Sequence, residues 1–256
     1  MKILTTGILS GLGKHVYERF GGVGWTRQLD TRQREKIKNE GVDTIIHCAF
    51  NSGRNVSSEN LYDYISDNVV LTEKLCSIPN RKFVFVSTVD VYPKDSGFHS
   101  EDEAIYMDDV NTLYGTTKLM SEAIVRNRCQ NYLILRCTAL LGEYSRKNSL
   151  MRILKDTPCR LTLSLDSLFN YVLHSDVSEF LRFAMEQDLC GTFNVASSEN
   201  IRLSEVAEML GKNVSFGTYC YCVGNIDNRR ICSLFPAFGR TSKETIAEFV
   251  SQCSRD

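Results

Sequence analysis

The sequence predicts an α/β fold: a doubly wound parallel sheet of the Rossmann kind with a small C-terminal lobe. Three observations carry this expectation. A short β-run, Lys2 to Thr6, passes through a glycine turn, Gly7-Ile8-Leu9-Ser10-Gly11-Leu12-Gly13, into a helix from Leu12 to Phe20. Two more runs, Val42 to Ala49 and Arg81 to Thr88, are rich in apolar and β-branched residues, the pattern of strands covered on both faces. Helical stretches separate these runs, and strand–helix alternation with right-handed crossovers builds a parallel sheet.

Composition narrows the function classes. A chain of 256 residues with 43% hydrophobic and 24% charged content can bury a sizeable core. A formal net charge of -1 gives no sign of a nucleic-acid or acidic-membrane partner. No apolar run approaches the roughly 20 residues that span a bilayer. Met1 to Thr6 runs straight into the glycine turn without the apolar segment and cleavage site of a secretory signal. Ten cysteines are scattered along the chain, and only Cys220 and Cys222 are close, so reduced, mostly buried thiols are expected and no metal site. Together these predict a cytoplasmic protein.

Taken in order, Gly21-Gly22 stops the first helix and Gly24 to Gln28 reads as a second strand. Arg32 to Asn39 is a polar helix, and Val42 to Ala49 carries His47, read as a satisfied strand-end histidine in preference to a ligand. Phe50 to Ser58 is a loop, and Leu61 to Cys76 one long helix with Asn68 in an apolar stretch. The strand ending in Ser87-Thr88 is followed by an acidic, irregular segment from Asp95 to Asp109. Asn111 to Arg126 is helical, and Tyr132 to Arg136 a strand. Beyond Gly142 come a helix at Ser145 to Asp156, strands at Arg160 to Leu165 and Phe169 to Leu173, a helix at Asp176 to Gln187 and a strand at Gly191 to Ala196. Leu203 to Leu210 and Ser242 to Cys253 are closing helices. The expected division is residues 1–145 and 171–196 for the dinucleotide-binding core and 146–170 and 197–256 for a substrate lobe.

Two groups of residues carry chemistry. Strand, glycine turn and helix place backbone N–H groups where a pyrophosphate can sit, although the spacing is GxxxGxG. Roughly 20 residues past the first glycine, where such sites hold an acid for a ribose hydroxyl or a cation for a 2′-phosphate, stands Arg27, with Asp30 three residues on. Tyr114 and Lys118 are four apart, so both leave one helix face. An ammonium beside a phenol lowers its pKa toward working pH, which makes Tyr114 an expected proton carrier for a carbonyl/alcohol pair.

These stretches together resemble the extended short-chain dehydrogenase/reductases, the NAD(P)-dependent sugar epimerase/dehydratase family, from approximately Met1 to Ala196. Thr6-Gly7 through Gly13 is similar to its cofactor loop, His47-Cys48-Ala49 to its strand-end turn, and Asp67-Asn68-Val69 to a motif of the next helix. Ser87-Thr88 with Val91-Tyr92 resembles the catalytic serine/threonine strand, and Tyr114 with Lys118 the catalytic pair. The resemblance implies catalytic roles for Thr88, Tyr114, Lys118 and Asn68. It implies cofactor contacts from Gly7, Ser10, Gly11, Leu12, Gly13, Arg27, Asp30, Cys48, Ala49 and Lys118. Ser10 and the stretch Thr138 to Gly142 depart from the family pattern, and the short C-terminal lobe is similar to the dTDP-4-dehydrorhamnose reductase-like members.

The implied activity is an NAD(P)-dependent reduction of a 4-keto group on a nucleotide-linked sugar, with a nucleotide-sugar 4-epimerase or a non-catalytic NADP-binding sensor as alternatives. NADP(H) is the expected cofactor because of Arg27, with NAD(H) as the second option. Dehydration is not expected, since Val89 stands where an acid would be needed. Arg152, Arg160, Arg229 and Arg230 are candidate cations for the substrate pyrophosphate. The expected partner is a small molecule, with no nucleic acid and no membrane; a homodimer is left open.

Overall fold

The sheet follows from two-sided burial. In the computed structural model, which describes residues 1–51, 53, 55–95 and 97–253, strands β1 (Ile3–Thr6), β2 (Val23–Trp25), β3 (Val42–His47) and β4 (Asn80–Thr88) come first. Ser52, Arg54 and Ser96, inside two of the expected loops, lie outside the described residues. Helices α1 (Gly11–Phe20) and α2 (Thr31–Glu40) connect the first three strands. Between β3 and β4 the expected single helix is α3 (Leu61–Ile65), a π-helical turn (Ser66–Val70) and α4 (Leu71–Cys76). After a short strand β5 (Phe98–His99), helix α5 (Leu113–Arg128) leads to β6 (Tyr132–Cys137).

The remainder is finer-grained than the sequence suggests. It comprises β7 (Ala139–Leu141), α6 (Ser149–Lys155), β8 (Cys159–Arg160), β9 (Leu168–Phe169), β10 (Tyr171–Leu173) and α7 (His174–Glu186). Then follow β11 (Gly191–Val195), β12 (Ile201–Arg202), α8 (Leu203–Met209), β13 (Val214–Ser215), β14 (Asn225–Ile226), α9 (Arg229–Leu234) and α10 (Ser242–Cys253). The helix expected from Ser145 starts later because Asn148 caps it, its side chain accepting the Met151 N–H.

Among the described residues, six strands form the main sheet in the order β11-β6-β4-β3-β1-β2, every pair parallel. Successive residues of one strand face opposite ways. Val84 and Val86 of β4 therefore pack with Leu12 and Val16 of α1 and Val177, Phe180 and Leu181 of α7. Phe83 and Phe85 of the same strand pack on the other face with Ile37 of α2, Leu75 of α4 and Val125 of α5. A further apolar cluster joins Leu150 and Ile153 of α6, Tyr171 and Leu173 of β10, Leu203 and Val206 of α8, and Ile246 and Phe249 of α10. The direction of strand addition reverses at β1, which has β2 on one side and β3 on the other. Open α/β sheets place their ligands in the crevice at such a point.

Candidate active site

The crevice begins at the turn after β1. Gly7 has φ +74, and a Cβ there would meet the Ala49 amide nitrogen at 2.9 Å, so only glycine lets the two strand ends approach. A Cβ on Gly13 would meet the Gly7 carbonyl oxygen at 2.4 Å, which fixes how closely α1 lies on the turn. Ser10 precedes α1 with extended backbone, and its hydroxyl accepts from Arg146 Nε at 3.2 Å. The Gly11 N–H is committed to the Tyr144 carbonyl oxygen at 2.7 Å. Leu12 is buried beneath the turn.

Thr6 ties this turn to the end of β3. Its hydroxyl accepts from the Cys48 and Ala49 amides at 3.1 and 2.9 Å, so its own proton goes to His47 Nδ1 at 2.8 Å. His47 Nε2 is then the protonated nitrogen and donates to Thr72 Oγ1 at 3.1 Å, and Thr72 donates to the Asn68 carbonyl oxygen at 2.7 Å. Burial, with the Lys118 charge as a lesser cause, lowers the His47 pKa to about 3, which keeps this one-directional chain neutral. His47 is thus a satisfied core histidine, bonded at both ring nitrogens.

Asn68 sits in the π-helical turn, where the lengthened repeat leaves carbonyls for other partners. Its own carbonyl takes both Thr72 and the Ser121 hydroxyl of α5, the latter at 3.1 Å. Its side chain points the other way: Oδ1 accepts the Asn51 N–H at 2.7 Å and Nδ2 donates to the Asn51 carbonyl at 3.1 Å. Asn68 therefore clamps the segment after β3.

The cation and acid proposed for the ribose end are placed differently from each other. β2 ends at Trp25, short of the expected strand, and Arg27 follows it in a turn with its side chain 85% exposed and ion-paired to Asp67 at 2.6 Å. Asp30 caps α2: its Oδ1 accepts the Gln33 N–H at 2.7 Å while the Gln33 side chain accepts the Asp30 N–H. Its carboxylate is occupied by the helix start.

Thr88, Tyr114 and Lys118 are brought together by β4 and α5. Thr88 ends β4, and its hydroxyl accepts the Asp90 N–H at 3.1 Å, leaving its proton for another partner. The Thr88 hydroxyl neighbours the Tyr114 phenol and favours its ionised form, a lesser influence than burial and Asp90. The Phe50 ring stands edge-on to Tyr114 with centroids 5.0 Å apart. Lys118, 3% exposed, donates to the Val86 carbonyl oxygen at 2.6 Å and has Phe50 and Phe85 ring centroids at 4.2 and 4.7 Å. The expected lowering of the phenol by the lysine is not what the geometry gives. Burial first, then the Asp90 charge, raises the Tyr114 pKa above the ordinary phenol value. Burial lowers Lys118 to about 7, and the neighbouring Cys48 and Cys137 thiols, themselves pushed up to about 12 by burial, supply no counter-charge at neutral pH. The helix spacing set the face correctly; the dry surroundings reversed the electrostatics.

Several groups at this site escape sequence reasoning. Tyr221 donates to Asp90 Oδ1 at 3.0 Å and Lys94 pairs with the same oxygen at 2.7 Å, so a residue of the C-terminal region meets the β4 end. Asp90 is a sequence neighbour of Ser87-Thr88, but no local signal foretells Tyr221, 131 positions away. Behind the site, Glu122 of α5 pairs with Arg136 of β6 and with Arg126, both at 2.8 Å, and accepts from Ser87 at 2.5 Å. Three of the four candidate pyrophosphate cations are engaged by carboxylates of the chain: Arg152 by Asp156, Arg229 by Asp227, and Arg230 by Asp102 and Glu101.

This architecture recurs among solved structures. A UDP-glucuronic acid 4-epimerase from Bacillus cereus, in complex with UDP-glucuronic acid and NAD, is 19% identical over 99% of this chain and 100% of its own, with a TM-score of 0.77. MoeE5, in complex with UDP-glucose and NAD, is 19% identical over 100% of this chain and 99% of its own, with a TM-score of 0.82. A dTDP-4-dehydrorhamnose reductase from Bacillus anthracis, in complex with NADP, is 18% identical over 98% of this chain and 100% of its own, at 0.81. At such identities the likeness is one of fold. No curated protein matches the sequence. The model of the NAD dependent epimerase/dehydratase family matches residues 11–196, from the start of α1 to the end of the sixth sheet strand and through Thr88, Tyr114 and Lys118, and the chain belongs to that family.

Proposed function

We propose that the protein is an NAD(P)-dependent oxidoreductase that reduces the 4-keto group of a nucleotide-linked sugar, with Tyr114 as general acid. The observation that carries this reading is the meeting of Thr88 and Tyr114 at the end of β4, with the phenol held protonated by burial and by Asp90. Gly11, at φ +60 with open space where a Cβ would stand, opens α1 beside a turn that the Gly7 and Gly13 contacts hold tight, and this suits a dinucleotide pyrophosphate; Gly7, Ser10 to Gly13, Cys48, Ala49, Arg27 and Lys118 would hold the cofactor. When bound, that cofactor supplies the hydride.

The chain's own residues do the rest. Thr88, whose hydroxyl proton is not used by Asp90, donates to the carbonyl oxygen and stabilises the charge that grows there. Tyr114 delivers its phenolic proton to the same oxygen, completing the alcohol. Lys118, bonded to the Val86 carbonyl oxygen and about half protonated at pH 7, would turn its remaining N–H groups to a ribose hydroxyl. Residues 146–170 and the described residues from 197 to 253 would form the sugar-nucleotide side of the crevice, with Tyr221 reaching it through its bond to Asp90.

A 4-epimerase is the second reading, favoured by the structural likeness to the UDP-glucuronic acid 4-epimerase. Incubation with 4-keto and 4-hydroxy nucleotide sugars separates the two. Stoichiometric NADPH consumption by a 4-keto sugar supports reduction, and conversion of a 4-hydroxy sugar to its epimer without net cofactor use supports epimerisation. Loss of one water from a hexose substrate contradicts both.

A further inference from the structure

We propose that Asp67 is a cofactor-specificity residue: it competes with the 2′-phosphate of NADP(H) for the Arg27 guanidinium and so limits the preference for NADP(H) over NAD(H). This rests on the cofactor reading above and concerns the end of the crevice remote from Tyr114.

Topology brings the two residues together. Thr6 of β1 pairs with Trp25 of β2 and with His47 of β3, so the glycine turn, Arg27 and the segment after β3 leave one sheet edge side by side. Arg27 comes from the turn after β2 and Asp67 from the π-helical turn after β3. Arg27 Nη2 lies 2.6 Å from both Asp67 carboxylate oxygens. The two partners are unequally fixed. Asp67 is 26% exposed, accepts from Asn51 Nδ2 at 2.9 Å, and neighbours Asn68, which clamps the Asn51 backbone. Arg27 is 85% exposed, and Asp67 is the one carboxylate that ion-pairs with it among the described residues. The carboxylate is the anchored member of the pair.

A guanidinium binds carboxylate and phosphate through the same fork of N–H donors. A 2′-phosphate arriving at Arg27 either takes the guanidinium from Asp67 or shares it, and then lies close to a fixed like charge. Both outcomes weaken NADP(H), and neither touches NAD(H), whose ribose carries a neutral hydroxyl there. Asp30, the other acid of this region, is committed to capping α2 and does not enter the competition.

The test is titration of the purified protein with NADPH and with NADH by fluorescence, which needs no sugar substrate. Asp67→Asn keeps the shape and can still accept from Asn51. It should tighten NADPH about tenfold, the equivalent of roughly 1.4 kcal/mol, and leave NADH within about twofold. Arg27→Ala should bring the two dissociation constants together. Asp67→Ser serves as a second variant, with the same expectation, should the asparagine fail to fold. Weaker NADPH binding by Asp67→Asn would make Asp67 the group that aims Arg27 at the phosphate and overturn the proposal, as would equal changes for both cofactors. A native protein that binds neither cofactor would overturn the cofactor reading itself, and this inference with it.

Discussion

Lys118 and Tyr114 show how much a site owes to its dielectric. Four residues apart on α5, they were legible from sequence as a pair on one face, yet each is shifted by burial ahead of any other cause. For Lys118 the shift is a stability statement. The free amine titrates near 10.4 and the folded one at about 7, so the native state holds this proton less tightly than the unfolded state. The penalty is full below pH 7 and fades by about 1.4 kcal/mol per pH unit between 7 and 10.4. Lys118→Met removes it. The variant's stability relative to the native protein should therefore be most favourable near pH 6 and decline as pH rises toward 10, read by urea unfolding at several pH values. A difference that stays flat with pH would place the native lysine in a wetter, charged setting. Tyr114→Phe should leave the unfolding free energy within about 1 kcal/mol of the native value and lower turnover by about a hundredfold or more. Retained turnover would remove the phenol from the reaction.

At the scale of elements, the π-helical turn between α3 and α4 organises three sides of the crevice. Its Asn68 binds Asn51 through the side chain and Thr72 and Ser121 through the carbonyl, and its Asp67 holds Arg27. Apolar periodicity reads this stretch as one uninterrupted helix, since a single-turn change of hydrogen-bond pattern leaves the side-chain pattern almost intact. The same limit explains β2: Val23 to Trp25 pairs with β1 and the chain then turns, whereas propensity alone carried the strand on to Gln28. α5 is fixed by a different device, the buried ion pair of Glu122 with Arg136. Burial would push the Glu122 carboxyl up, but Arg136, Ser87 and Arg126 together hold it below its ordinary value. Glu122→Ala strands the Arg136 guanidinium in a site 2% exposed and should cost about 3–5 kcal/mol in urea unfolding. A loss under about 1 kcal/mol would show that water reaches Arg136.

Over the whole molecule, the parallel sheet was legible because its strands are buried on both faces and its first turn needs glycine at Gly7. The C-terminal third was less so. Beyond β11 its strands are two residues long, such as β12 and β13, and pair with partners far along the chain, so no local period marks them. The contact of Tyr221 with Asp90 has the same origin: only the folded chain brings that region to the end of β4. In the proposed reaction a hydride passes to carbon 4 of a nucleotide-linked sugar while Tyr114 gives up its proton to the oxygen. The most direct measurement is reduction of a 4-keto nucleotide sugar with NADPH deuterated at the transferring position of the nicotinamide, followed by mass spectrometry of the sugar product. The expected result is a 4-hydroxy product carrying one deuterium on carbon 4, formed by the native protein and not by Tyr114→Phe. An unlabelled product, or one lighter by a molecule of water, would contradict it.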